Sequence, residues 1–422
     1  MKVCVVGGGP AGMAAAISAA ENGHLVTLLE HGRRVGKKLL LTGNGKCNLS
    51  NTDQDLCHYH GDPSFIQSVF DLVSYEDVIS FLTGIGIFTR NKNGYLYPYS
   101  EQASAVLDDL RFALRNLKVN TLCETQIEEL APAGKGSGFF VRWKDMVSAE
   151  SHAEIFDRVI LAAGSKAAPA TGSDGSGYRL AEALGHPVRR PLPALTYIKT
   201  DRFYCKQLAG LRFAAGVSLM IGDERKAFET GEVQFTKEGI SGIPVFQLSF
   251  LVSRALSEKS RRRLCVLLDL TPSLAKEALV SYLNTRLSQA GDKTAEELLI
   301  GFMPKQLAGV LLKLAGIPFT TPCTALSEKA LYELAAWIKA LPFPATGTGG
   351  FDKAQTCTGG VITDSLFPTL ESKLTPGLYF AGEILDVNGD CGGYNLTWAF
   401  ASGILCGKLL TSALERSPGG RT

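Results

Sequence analysis

The sequence predicts an α/β fold: a parallel βαβ start, an antiparallel β segment in the middle, a helical stretch, and a return to strand and helix at the end. Two observations carry this. Within residues 2–29 a β-branched run, a glycine turn, an Ala-rich stretch and a second apolar run follow one another, the order of a βαβ unit with parallel strands. Composition then shifts near Pro187-Val188-Arg189-Arg190-Pro191 to short alternating runs, and again at Thr271-Pro272 to helical patterning.

Lys2-Val3-Cys4-Val5-Val6 reads as a buried strand, Pro10 to Asn22 as a helix ended by Gly23, and Leu25 to Leu29 as the second strand, closing on Glu30. Helices are expected over Phe65–Leu82 and Ser100–Leu117; the latter places apolar residues at 103, 106, 107, 110 and 114, one helix face. Strands follow at Phe139–Trp143 and Val159–Ala162, then a short helix over Tyr178–Leu184. The runs 194–199, 216–221, 231–236 and 264–270 suggest an antiparallel β region. Thr271 is a good N-cap with Pro272 at the first helical position, Thr294-Ala295-Glu296-Glu297 is a capping box, and three helices are expected between Thr271 and Ile317. Val361–Thr363 and Leu378–Phe380 return to strand, and an apolar helix runs from Gly393 to Leu414.

The chain has 422 residues, 45% of them hydrophobic and 20% charged, which is globular composition and excludes a disordered chain. Lys+Arg 43 against Asp+Glu 41 leaves a net charge of +2, which argues against a dedicated nucleic-acid or acidic-membrane binder. The ten cysteines form no CxxC pair, so a zinc knuckle is not expected and the thiols read as reduced, in a cytoplasmic protein. The segment after Lys2 mimics a signal peptide, but Gly7-Gly8-Gly9-Pro10 interrupts its apolar run, and no stretch is long enough to span a membrane. Glycine is the outlier, at 45 residues in short clusters, as when a backbone approaches a bulky ligand at several places.

Three clusters carry chemistry. Gly7-x-Gly9-x-x-Gly12 follows a strand and opens a helix: the first glycine permits the turn, the second lets backbone approach a pyrophosphate, the third lets helix and strand pack. The pyrophosphate would sit on the helix N-terminus, and Glu30, at the end of the next strand, is placed to accept from a ribose hydroxyl. This is the Rossmann-like fingerprint of a dinucleotide, NAD or FAD. The second cluster, Gly36 to Asn51, is rich in glycine and lysine; Lys37, Lys38 and Lys46 would offset pyrophosphate charge while Gly43 and Gly45 allow close approach. The third, Leu378-Tyr379-Phe380-Ala381-Gly382-Glu383, leads through Asp386 and Asp390 to Cys391-Gly392-Gly393-Tyr394-Asn395 at a helix start. In a flavoprotein, that helix N-terminus is the place for the N1/O2 edge of the isoalloxazine.

Through these runs the chain resembles the HI0933-like (BaiN/YhiN-type) family of FAD-dependent oxidoreductases. The most specific segments are GKKLLLTGNGKCNLSN and GLYFAGEILDVNGDCGGYNLTWAFASG. The resemblance implies a Rossmann-like FAD-binding domain built from both chain ends, with an inserted β-barrel-like domain carrying a small helical insertion. The expected boundaries are 1–188 with 345–422 for FAD binding, 189–270 with 321–344 for the β-rich substrate domain, and 271–320 for the helical insertion. The cofactor-binding set expected on this reading comprises Gly7, Gly9, Pro10, Ala11, Gly12, Glu30 and His31; Lys37, Lys38, Gly43, Asn44, Gly45, Lys46, Cys47 and Asn48; Ile127; Ala163 and Gly164; and Gly382, Glu383, Asp386, Gly392, Gly393, Tyr394 and Asn395. Ala163 departs from the family pattern, where threonine or glycine is expected.

The resemblance implies reduction of conjugated double bonds of bile-acid type in some members and amine oxidation in others. The function expected is thus FAD-dependent oxidoreduction of a small organic substrate, held near Gly239-Ile240-Ser241-Gly242, with NAD(P)H as a transient co-substrate. The alternatives are an oxygen-using amine oxidase and, in another class, a flavin-dependent RNA-associated protein. No membrane or nucleic-acid partner is expected. Candidate catalytic residues are Cys47, Cys391 and Tyr394; for Cys47, a thiol lowered in pKa by Lys46 competes with simple burial in a tight loop. His58-Tyr59-His60 lacks the further ligands of a metal site and reads as a loop pair. Tyr95, Tyr97 and Tyr99 line a site or form an amphipathic edge strand. Arg261-Arg262-Arg263 reads as a solvated turn.

Overall fold

The computed structural model describes residues 1–134, 138–258 and 262–410. The chain divides into two compact units, Met1–Leu192 with Ala354–Thr422, and Pro193–Lys353.

The first unit is built on a five-stranded sheet in the order Leu378–Phe380, Arg158–Leu161, Lys2–Val6, Leu25–Leu29, Asn120–Leu122. Every neighbouring pair is parallel. Val3 to Val6, Val159 to Leu161 and Leu378 to Phe380 are buried, as expected of strands covered on both faces. The sheet therefore joins the first residues of the chain to its last strand. The Pro10–Glu21 helix begins with proline, whose fixed φ suits that position. Against it lies the last helix, Tyr394–Lys408. A Cβ added at Gly403 would stand 2.3 Å from the Ala11 carbonyl oxygen, and one at Gly407 2.7 Å from that of Ala15. Small residues on both helices are thus what lets the two backbones touch.

A second, antiparallel sheet of Thr125–Pro132, Phe139–Asp145 and Ser151–Phe156 belongs to this unit. Only its middle strand was expected, because the flanking strands are half exposed and carry few apolar residues. The helix expected over Phe65–Leu82 is two, Pro63–Leu72 and Tyr75–Gly84, because Ser74 and Asp77 form a capping box that starts a new helix. Ala103–Asn116 buries the expected face, Ala103, Val106, Leu107, Leu110 and Leu114. The strand expected at Val361–Thr363 lies earlier, at Thr356–Val361, and Thr363–Ser365 forms a 3-10 turn instead. The last helix is described to Lys408; its expected extension to Leu414 falls partly outside the described residues.

The second unit holds a seven-stranded antiparallel sheet in the order Leu341–Pro344, Leu264–Asp269, Arg212–Ile221, Glu224–Thr236, Gly239–Ser241, Ile198–Lys199, Gly347–Thr348. A helix the sequence pattern did not suggest, Ile243–Ser257, packs on it through Val245, Leu248 and Val252. Three helices, Lys276–Ser288, Ala295–Leu298 and Lys305–Leu314, occupy the stretch expected to be helical, and the Thr294 capping box is formed. Thr271, however, caps no helix. Its N–H donates to Asp269 at 3.0 Å, and the Lys339 ammonium donates to the Thr271 and Leu274 carbonyls, which holds 271–274 as a turn until the helix begins at Lys276. Residues 321–344, expected to be β-rich, include the helix Glu328–Lys339, capped by Ser327. Its Leu331, Leu334 and Ile338 share one core with Leu279 and Leu311 of the helices and Val217 and Leu268 of the sheet. Arg261, in the arginine run, lies outside the described residues.

Candidate dinucleotide site

The turn Gly7–Gly12 sits at the carboxyl end of the central strand. Gly7 has φ +106°, and a Cβ there would stand 2.4 Å from the Ala162 carbonyl oxygen; one at Gly12 would stand 1.8 Å from that of Gly7. Both positions admit only glycine. Gly9 is different: a Cβ there would meet nothing within 4 Å, so no atom of the described residues demands a glycine. The N–H groups of Ala11 and Gly12, in the first turn of the helix, have no intrahelical acceptor. Glu30 accepts from the N–H of Gly8 at 2.6 Å and of Gly32 at 2.5 Å, which fixes its carboxylate beside the turn. His31 is exposed beside it.

The second loop is tied to the first turn by the Gly36 N–H, which donates to the Gly8 carbonyl at 2.8 Å. Gly43, Asn44, Gly45 and Cys47 all have positive φ, a run of left-handed residues that folds the loop back tightly. The lysines are engaged within the chain. Lys38 pairs with Glu383 at 2.5 Å, Lys46 with Glu101 at 3.1 Å, and Lys37 donates to the Ala170 carbonyl at 2.6 Å. Cys47 is fully buried, and burial pushes its thiol up to about 12, against the lowering expected from Lys46. It is a packed, protonated thiol. Asn48 Oδ1 is buried with no hydrogen-bond partner among the described residues, an acceptor left for a ligand donor.

The third cluster meets the other two. Gly382 packs on the first helix, where an added Cβ would stand 2.7 Å from the Ala11 Cβ, and Lys38–Glu383 joins the second loop to it. Ser50 Oγ and Thr397 Oγ1 are 2.7 Å apart, and Asn51 donates to the Gly392 carbonyl at 3.2 Å. Gly393 has φ +102°, and a Cβ there would stand 2.5–2.6 Å from Ser50 backbone atoms. Asn395 bonds both polar groups of Gly389, at 2.9 and 2.8 Å, so its amide braces the preceding loop. Asp386 is engaged by the Gly359 N–H at 2.9 Å and by Arg189 at 2.7 Å. Gly164 has φ +72°, and Ala163 fills the space beside Gly177, whose Cβ would stand 2.7 Å from that of Ala163. Ile127 lies half-buried on the antiparallel sheet opposite Trp143.

Sequence reasoning missed how the histidines join this site. Tyr59–His60 pairs antiparallel with Asn388–Gly389. His58 lies between Asp390, at 3.1 Å, and Asp53, at 3.2 Å, while His60 reaches Asp390 at 2.8 Å. The His58 ring stacks on Tyr394 with centroids 4.4 Å apart. Tyr394 is buried and its phenol is pushed up by burial, with Asp53 and Asp390 adding to the shift. The only local signal was the His-x-His spacing beside two aspartates. Among the described residues, no group of His, Cys, Asp and Glu is arranged to hold a metal ion. Tyr95 and Tyr97 lie on the hairpin Thr89–Lys92/Tyr95–Pro98, and Tyr97 stands close to Gly43. Cys391 is half-buried.

The open space at Gly9, the helix N–H groups beside it and the unpartnered Asn48 oxygen together fit a bound dinucleotide. The model of the HI0933-like protein Rossmann domain matches residues 1–409. The 3-dehydro-bile acid delta(4,6)-reductase of Clostridium scindens is 40% identical over 98% of this chain and 99% of its own. The ribosomal RNA dihydrouridine synthase of Escherichia coli is 28% identical over 97% of this chain and 98% of its own. Among solved structures, the 3-ketosteroid delta1-dehydrogenase of Sterolibacterium denitrificans, in complex with 1,4-androstadiene-3,17-dione, aligns with a TM-score of 0.50 at 12% identity, over 97% of this chain and 98% of that one. At that identity the likeness concerns the fold.

Proposed function

The chain belongs to the HI0933-like family and is an FAD-dependent oxidoreductase, and on that premise we propose that it saturates a carbon–carbon double bond conjugated to a carbonyl in a small steroid-type substrate, with NAD(P)H as reductant. The observation that carries the reading is 40% identity to a bile-acid delta(4,6)-reductase along nearly the full length of both chains. In the balanced reaction NAD(P)H is oxidised and gives up a hydride, and the substrate gains a hydride at one alkene carbon and a proton at the other. FAD, when bound, is the two-electron carrier for that transfer.

The chain's own residues bind and orient. The N–H groups at the start of the Pro10–Glu21 helix hold a pyrophosphate, with Gly9 leaving room for it. Glu30 keeps lone pairs for ribose hydroxyls beyond its two backbone bonds. The Gly392-Gly393 helix start offers N–H donors to a ring edge that becomes more negative on reduction. Flavin binding is thereby assigned to 1–188 with 354–422, because Gly347–Thr348, inside the expected 345–422, belongs to the sheet of the second unit, and the reducing environment that ten cysteines without a disulfide suit is the cytoplasm. Among the described residues, no helix is long and apolar enough to cross a membrane.

A second reading is favoured by the 28% identical relatives named as rRNA dihydrouridine synthases. Dihydrouridine is uridine with its ring double bond saturated, so both names describe one bond chemistry on substrates of very different size and charge. The net charge of +2 favours the small molecule. Anaerobic stopped-flow distinguishes the readings. NADH or NADPH is expected to bleach the flavin band near about 450 nm, and a bile-acid-type dienone to restore it. Restoration by uridine-containing RNA alone would move the assignment to RNA. Bleaching by an amine, with reoxidation by oxygen, would make the protein an amine oxidase.

A further inference from the structure

We propose that His58 is a positioning residue for the turn Gly392-Gly393-Tyr394, gripping it through an imidazolium held between Asp53 and Asp390 and stacked on the Tyr394 ring. The proposal rests on the flavin reading of that turn. Tyr394 is the first residue of the last helix and Gly393 its cap, so whatever fixes the Tyr394 ring also fixes the direction of the free N–H groups at the helix start. His58 fixes it from one face, with rings 4.4 Å apart and 18° from parallel, and Tyr59 meets it edge-on at 5.6 Å. The Asp390 N–H also donates to the His58 carbonyl at 2.9 Å, so backbone and side chain hold the same loop.

The hold depends on one proton. His58 Nδ1 faces Asp390 Oδ2 and Nε2 faces Asp53 Oδ2. Only an imidazolium donates through both nitrogens; a neutral ring has one N–H, and its bare nitrogen then faces a carboxylate. Burial by itself drives the His58 pKa down, but the hydrogen bonds and charges of Asp390 and Asp53 outweigh it and raise the pKa above that of an ordinary histidine. The other groups around it are Asp55 and Cys57 on its own loop, Tyr394 on the facing segment, and His60, which shares Asp390. A raised pKa means the clamp is complete below the ordinary histidine range and is lost as pH rises through the folded-state value. Losing the proton also makes the surroundings of the turn more negative, which disfavours electron density on a ring edge held there.

The test uses the FAD-loaded protein and reads the midpoint potential of the bound flavin from pH 5.5 to 9, arbitrary limits about the ordinary histidine pKa of roughly 6.5. Wild type is expected to show a change of slope at the His58 pKa, with the potential lower on the alkaline side. Asp53→Asn, at a side chain 60% exposed, is expected to fold normally and move that break to lower pH, because one of the two carboxylates that favour the imidazolium is gone. His58→Gln is expected to abolish the break. FAD-loaded Asp53→Asn with an unmoved break, or His58→Gln that keeps it, overturns this role while leaving the flavin reading intact. Wild-type protein that binds no FAD at any pH overturns the flavin reading, and this role with it.

Discussion

Two glycine-opened helix starts stand in the first unit, and they differ in what fills the space beside them. At Gly7–Gly12 the outer glycines are demanded by chain atoms 2.4 and 1.8 Å from where a Cβ would lie, while Gly9 faces nothing. At Gly392–Gly393 both glycines are hemmed in: Gly393 by the Ser50 backbone, Gly392 by the Tyr394 ring and the Asn51 amide. The same motif logic suggested that both starts meet a ligand. Packing adds a duty at the second start: the first reserves room at one residue, whereas the second, besides offering its helix N–H groups, is the joint between the last helix and the 36–51 loop. A glycine required by the chain is explained by folding whether or not a ligand also meets it, and one the chain does not require points to a ligand alone.

The largest expected effect tests the folding half of that contrast. Gly12→Ala forces a Cβ onto the Gly7 carbonyl and is expected to cost about 3 kcal/mol or more in chemical denaturation of the apoprotein. Gly393→Ala, with positive φ and the Ser50 backbone in the way, is expected to cost about 1–3 kcal/mol in the same assay. An apoprotein as stable as wild type in either variant would break the distinction.

Next comes Glu30→Ala, which removes a charge-assisted acceptor worth about 1.5–3 kcal/mol. FAD affinity is expected to fall by roughly 10- to 100-fold in fluorescence titration. The variant also frees the Gly8 and Gly32 N–H groups, so some apoprotein stability goes with it. Unchanged FAD affinity would remove Glu30 from the site.

Gly9→Ala sharpens the comparison most. Its φ of −75° suits any residue and the space is empty, so apoprotein stability is expected to stay within about 0.5 kcal/mol of wild type. FAD affinity is expected to drop about tenfold, the equivalent of about 1.4 kcal/mol. Loss of stability without loss of affinity would place Gly9 with Gly12 as a folding residue.

The smallest effect is expected at Cys47. Burial holds its thiol near 12, so iodoacetamide at a pH about one unit below the ordinary thiol pKa is expected to leave it unmodified in the folded protein, by mass-spectrometric mapping. The exposed Cys57 serves as the accessible control. Alkylation of Cys47 in the native state would restore it as a redox candidate.

What the sequence determined by itself is what rests on neighbours along the chain. The βαβ unit, the glycine spacing, the Thr294 capping box and the buried face of Ala103–Asn116 each depend on residues a few positions apart, and those signals were legible. Local signals also misled where a distant group intervened: Thr271 looked like a cap until Asp269 and Lys339 took its backbone groups. The site's wiring was settled only in the tertiary structure. Ser50 meets Thr397 across 347 positions, Lys38 meets Glu383 across 345, and His58 meets Asp390 across 332. No periodicity encodes such pairs. They arise because the parallel sheet sets Leu378–Phe380 one strand away from Lys2–Val6, with Arg158–Leu161 between them, and the small residues of Pro10–Glu21 and Tyr394–Lys408 let those two helices pack in backbone contact. That packing also gives the three lysines expected to face a phosphate partners within the chain, and sets a histidine read as part of a loop pair beside Tyr394.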